Sequence, residues 1–246
     1  MSLLNNLKTD NTIAGESDNL GGFAVLDSNI YLLTIEKAFV QASAGGAVGL
    51  HLHTATDDGR SFRTTLWMTS STAKGGTPYY VDKNGDKKYL PGFLQANAIA
   101  QLITGKEIGE LDTEVKVVSL WSSDAGAEVP TKVEMLMDLL NKQFYGGIMK
   151  QVVNKNVKAA DGSYVPSGET REENELDKVF SAETKLTVAE TKAKAEGPNF
   201  YDQWAKKNAG KTKDRTGGAK STGGKPIAAG NASAGAKPAA KSLFGE

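Results

Sequence analysis

The residues best suited to chemistry in this chain are aromatic and basic, and they alternate. In the run from Arg60 to Met68 (RSFRTTLWM), a period of two puts Phe62, Thr64, Leu66 and Met68 on one face of a strand and Ser61, Arg63, Thr65 and Trp67 on the other. A core face therefore backs a face that carries a cation and an indole. Tyr79, Tyr80, Lys87, Lys88 and Tyr89 flank Asn84-Gly85, the expected turn of a hairpin, so aromatic and basic side chains interleave a second time. Tyr145, Lys150, Lys155 and Lys158 run along a later segment. Rings of this kind stack on unpaired bases, each worth roughly 1–3 kcal/mol, while lysine and arginine neutralise phosphates. The candidate DNA-binding set is Arg60, Arg63, Trp67, Tyr79, Tyr80, Lys87, Lys88, Tyr89, Lys150 and Lys155. Core packing is the competing reading of any one aromatic, and Trp67 beside Arg63 is where a surface role is expected.

Other chemistries find little support. With no cysteine and only two histidines, thiolate nucleophiles, zinc fingers, disulfides and the familiar nucleophile–base pairs are excluded. A phosphate-binding loop fails at Gly224-Lys225, where Ala219 replaces the first glycine and Pro226 the hydroxyl residue, and at Gly105-Lys106, where Ala100 replaces the first glycine. His51 and His53 share a strand face close to Asp57 and Asp58 but have no third ligand at metal-binding spacing, so a pair facing a groove or packed on an aromatic is the better reading. Glu172, Glu173 and Glu175 sit in a charged, glycine-flanked stretch read as a solvated loop. No catalytic residue, metal ligand or cofactor is expected.

These residues need a frame, and apolar periodicity supplies one. Asn29–Gln41 and Gly46–Thr56 read as two antiparallel strands leading into Arg60–Met68. Pro91 opens a helix with Phe93, Ala96, Ile99, Ala100 and Ile103 at helical spacing and Gly105 as its stop. Thr113–Trp121 and Tyr145–Val157 read as further strands, Pro130–Leu140 as a strand turning into a short helix, and Val188–Glu196 as a short surface helix. Three strands, a helix, then more strands suit a mainly β fold, an OB-fold-like five-stranded or elaborated barrel with one inserted α-helix.

The 246 residues carry 29 bases and 29 acids, and this neutrality hides an asymmetry. From residue 205 to 246, nine bases face two acids, a net of +7, which leaves −7 for residues 1–204. The segment rich in Gly, Ala, Ser and Lys has almost nothing to bury, and it is expected to be a disordered basic tail. The expected organisation is an N-terminal arm over 1–20, an OB-fold-like domain over 21–204 and a tail over 205–246. No stretch reaches the roughly 18 apolar residues of a membrane span, and the start lacks the pattern of a signal peptide, so no membrane association is expected.

Arg60 through Asn97, with RTTLWMT and YYVDKNGDKKYLPGFLQAN, followed by VPTKVEMLMDLL, GIMKQVV and YVPSGETREENELDKVF, resembles the single-stranded DNA-binding proteins encoded by tailed bacteriophages. The similarity covers roughly residues 20–180. It implies an OB-fold that coats and protects single strands in phage replication and recombination without catalysis, in the cytoplasm of the bacterial host. Phage replication or recombination proteins are then candidate partners of the tail, and self-association stays open. Many such proteins end in an acidic tail, whereas this chain ends in a basic one, which puts recruitment by an acidic tail in doubt. The alternative is a non-catalytic phage regulatory or structural protein whose barrel binds another protein, favoured by the acidic body.

Overall fold

The computed structural model describes residues 25–122, 125–159 and 164–217. The expected arm over 1–20 and the chain beyond 217 lie outside the described residues. The strands are β1 (Asn29–Ala42), β2 (Val48–Thr56), β3 (Ser61–Trp67), β4 (Tyr79–Val81), β5 (Lys87–Tyr89), β6 (Glu114–Ser122), β7 (Ala127–Met135), β8 (Gln143–Lys158), β9 (Tyr164–Ser181) and β10 (Thr212–Asp214). Helix α1 (Pro91–Thr104) lies between β5 and β6, and α2 (Val188–Lys192) and α3 (Asn199–Asn208) follow β9.

The long first strand organises the sheet. One edge of β1 pairs with β2, which pairs with β3. Its other edge is shared: Asn29–Thr34 pair with β8, and Phe39 and Val40 pair with β7. Beyond these, β7 pairs with β6 and β8 with β9, all antiparallel, and β10 joins β8 in parallel as the eighth strand of the sheet, while β4 and β5 form a separate hairpin.

A closed barrel would join β3 to β9, and this sheet is open there. Helix α1 occupies the gap. Its Gly92 lies so close to β3 that a Cβ would sit 2.4 Å from the Trp67 carbonyl oxygen, and the Gln95 side-chain amide donates to the Leu176 carbonyl of β9. The five-stranded or elaborated barrel is thus corrected to an open eight-stranded sheet, mainly β and antiparallel, while α2 lies where a short surface helix was expected and α3 follows it. The inserted helix itself is where Pro91 and Gly105 put it, and Gly105 adopts the left-handed conformation of a C-terminal stop.

The main core fills the space between the curved sheet and α1. Leu33, Ile35, Leu50, Leu52, Phe62, Leu66, Phe144 and Ile148 meet Ala96, Ile99 and Ala100, all essentially without solvent contact. Burying such side chains contributes about 1.5–3 kcal/mol each, which is why the alternation of β2 and β3 is so regular.

Two segments depart from expectation. Glu169–Lys178, read as a solvated loop, lies in β9 and pairs with β8 across its length. Its carboxylates are matched by bases: Lys150 of β8 meets Glu172 at 3.0 Å, and Arg215, one residue past β10, meets Glu175 at 2.6 Å. The expected tail boundary at 204 also moves. Trp204 is buried, its ring against Gly147, with Nε1 donating to Asp177 at 2.7 Å. Past it, β10 pairs in parallel with Lys150–Val152 of β8, and the Gly210 amide donates to the Ser28 carbonyl at 2.8 Å. The Ser28 hydroxyl ties both sides together, accepting from the Lys150 amide and donating to the Lys211 carbonyl. Five bases and one acid assigned to the tail therefore belong to the folded part. Composition missed this because the ordering contacts are backbone pairings and ion pairs, which leave no apolar signature.

Candidate nucleic-acid interface

The face of β1–β2–β3 turned away from α1 carries the most prominent candidates. Register aligns them in three cross-strand rows: Lys37, His53 and Arg63; Phe39, His51 and Thr65; Gln41, Gly49 and Trp67. Trp67 and Arg63 are exposed while Phe62, Leu66 and Met68 are buried, as alternation predicts.

Phe39 reaches this face through a break in β1. A register shift between Ile35 and Lys37 inserts Glu36 as an extra residue, so Leu33 and Ile35 point inward before it and Ala38 and Val40 after it. Uninterrupted alternation from Ile35 would have sent Phe39 into the main core. Instead its ring stacks on His51, centroids 4.9 Å apart and planes within 2°, under a lid formed by Val133 and Met135 of β7. His51 in turn meets Trp67 edge-on at 6.2 Å, and its Nδ1 lies 3.1 Å from the Thr65 hydroxyl. The expectation that these histidines pack on an aromatic holds. Among the described residues no three His, Asp or Glu side chains gather as a metal-binding group.

Electrostatics make the two imidazoles neutral platforms rather than cations. Burial lowers the pKa of His51, and burial together with the flanking charges of Arg63 and Lys37 lowers that of His53 to about 4. Positive charge on this face is thus carried by Lys37 and Arg63. Gly49 completes the platform: a Cβ there would come within 3.0 Å of the Trp67 ring and 2.9 Å of the Thr65 methyl. The absent side chain is what lets the indole lie across β2, with Trp67 still 44% exposed.

The β4–β5 hairpin starts beside this face. The Ser70 amide donates to the Thr77 carbonyl and the Leu90 amide to the Pro78 carbonyl, which anchors the hairpin base just past Trp67. Gly85 takes the positive φ of its turn, where the Asp82 carboxylate accepts from the Asn84 and Asp86 amides. Tyr79 pairs with Tyr89 and Tyr80 with Lys88. Tyr80 and Tyr89 are exposed, Tyr89 lies against Phe93 at 5.1 Å, and the Lys87 ammonium sits 4.8 Å from the Tyr79 ring centroid. Lys88 is bound to Asp82, whose carboxyl it holds below the usual carboxylate range.

The remaining candidates are elsewhere. Arg60 lies in the β2–β3 turn, bonded to Asp58 at 2.7 Å and 5.5 Å from the Tyr31 ring. Lys150 and Lys155 of β8 are bound to Glu172 and Glu169, and Tyr145 is packed with Phe180 and Tyr201 beneath α3. Trp67 shares a row with Gln41, whereas Lys150 lies beyond Asn29 at the other end of β1. At about 3.3 Å per residue that separation is about 40 Å of strand. The ten candidates therefore form two groups rather than one site. Lys37, Phe39 and Gly49 were missed by sequence reasoning; a bulge and a glycine contact leave no periodic signal.

No known family model matches the chain, and no curated protein matches its sequence.

Proposed function

We propose that the protein binds single-stranded DNA on the outer face of β1–β2–β3, without catalysis and with tolerance of sequence. The observation that carries this reading is Trp67: a half-exposed indole on a sheet face, supported from below by Gly49, with Lys37 and Arg63 two rows away and two tyrosines on the adjoining hairpin. Bases would stack on Trp67, Tyr80 and Tyr89, and phosphates would meet Arg63, Lys37 and Lys87. The two histidines support this arrangement, since burial lowers their pKa values and favours the neutral ring. An OB-fold-like role in coating phage single strands, in the host cytoplasm during replication and recombination, fits the sequence resemblance. Among the described residues no helix is long and apolar enough to cross a membrane.

A fluorescence titration with oligo(dT) tests the reading. Of the three tryptophans, Trp204 is buried and Trp121 lies on a hairpin strand at the other side of β1, so quenching should come from Trp67 and disappear in W67A. Binding should weaken with salt at a log–log slope of about −0.7 per phosphate neutralised. Quenching that is absent, or that persists in W67A, overturns the assignment. The ion pairs at Arg60, Lys88, Lys150 and Lys155 favour the rival reading, a sheet that binds another protein, and that reading gains if oligo(dT) leaves the protein unchanged.

A further inference from the structure

Among the described residues β6 pairs only with β7, through nine consecutive positions from Glu114 opposite Met135 to Ser122 opposite Ala127, with no register shift. Its other edge offers a row of backbone donors and acceptors. Proteins usually protect such an edge with a proline, a bulge, an inward charge or a covering segment. Strand β6 has no proline and no bulge, and its two charges, Glu114 and Lys116, pair with each other at one end at 2.6 Å. The strand is also apolar on its open face. Val115, Val117 and Trp121 are 69%, 62% and 69% exposed, on the side opposite the Phe39 cluster, and a shallow groove beside them is lined by Val40, Val48 and Lys132. An unprotected edge beside exposed apolar side chains marks an interaction surface.

We propose that a second copy of this chain covers it, with the two β6 strands antiparallel about Val118. The strand is complementary to itself in that register. All nine residues pair, Val115 lies opposite the partner's Trp121, Val117 opposite the partner's Ser119, and Val118 opposite the partner's Val118. Glu114 then faces the partner's Ser122 and Lys116 the partner's Leu120, so no like charges meet. Centring the pair on Lys116 or on Glu114 would set two like charges face to face, which opposes those registers. The dimer edge lies across β7, β1 and β2 from Trp67, so it leaves the outer face of β3 open in both copies. Pairing through β6 requires no DNA.

The full-length chain, free of nucleic acid at about 50 μM, should sediment or scatter light at twice its 26.0 kDa. V117K, an exposed substitution that retains the native melting curve, should run as the monomer. Because the chain has no cysteine, single cysteines report the register directly. V118C should oxidise to a covalent dimer, since facing strand residues lie within disulfide reach. A mixture of V117C and S119C should give the mixed dimer in preference to either self-pair. S122C should stay uncrosslinked, its counterpart being eight positions away, about 27 Å. A wild-type monomer at this concentration, a dimer that V117K leaves intact, or S122C crosslinking as readily as V118C would overturn the proposal.

Discussion

At one end of β1, Lys37 and Arg63 flank a neutral His53 on a face that continues into Phe39, His51 and the exposed Trp67. At the other end, Lys150, Lys155 and Arg215 meet Glu172, Glu169 and Glu175. Both ends read as basic in the sequence, and at the β8–β9 end the acids of one strand sit across from the bases of its neighbours. A lysine already bound to a carboxylate must give up that partner before it can hold a phosphate. Cations beside a ring are a better indication of a nucleic-acid surface than cations beside acids.

The largest expected effect probes the β8–β9 end as structure. Truncation after Trp204 removes the last turn of α3, the β10 pairing and the Arg215–Glu175 ion pair. With each lost hydrogen bond costing about 1 kcal/mol, a loss of about 3 kcal/mol should lower the melting temperature by about 6–12 °C. Truncation after Gly217 should leave it unchanged, and equal melting of the two products would return the boundary to 204.

Trp67 probes the opposite end as function. W67A should cost about 1–3 kcal/mol of oligo(dT) affinity, roughly 5- to 150-fold, with little change in melting temperature. In the same assay K155Q should change neither, because Lys155 is exposed and held by Glu169. A K155Q loss equal to that of W67A would erase the distinction between the two ends.

A smaller effect is expected at Gly49. G49A inserts a methyl group within 3.0 Å of the Trp67 ring, so the indole must lift from β2. Affinity should fall by a few-fold and Trp67 emission should shift to the red while far-UV circular dichroism is retained. Unchanged emission would mean that the ring does not rest on β2.

The smallest effect concerns pH. His53 titrates near pH 4 when folded against about 6.5 when unfolded, so between these values the unfolded chain binds more protons. Its contribution to stability is present above about pH 6.5 and is lost as pH falls toward 4. H53Q should flatten this part of the stability–pH profile, and the imidazole proton resonances of His53 should show a midpoint near 4. A midpoint near 6.5 would place His53 in open solvent and remove the neutral platform.

Much of this arrangement was legible in the residues. The alternation of Arg60–Met68 separated the buried Phe62 and Leu66 from the exposed Arg63 and Trp67, because a strand covered on one face by a core must carry a period of two. Pro91 and Gly105 bounded α1, since proline lacks the amide a helix start does not need and glycine tolerates the left-handed stop. Local stereochemistry and one-sided burial act on neighbouring residues, and that is the information a sequence displays.

The tertiary structure decided the rest. Whether the sheet closes depended on α1 reaching β3 at Gly92 and β9 at Gln95, two contacts 81 or fewer residues apart that no local pattern encodes. The extra residue at Glu36 turned Phe39 from the main core to His51, and strand pairing joined Thr212–Asp214 to a β8 segment some sixty residues earlier. Which lysines keep their charge available was settled in the same way. An ion pair across strands depends on register, and register is a property of the assembled sheet rather than of either strand.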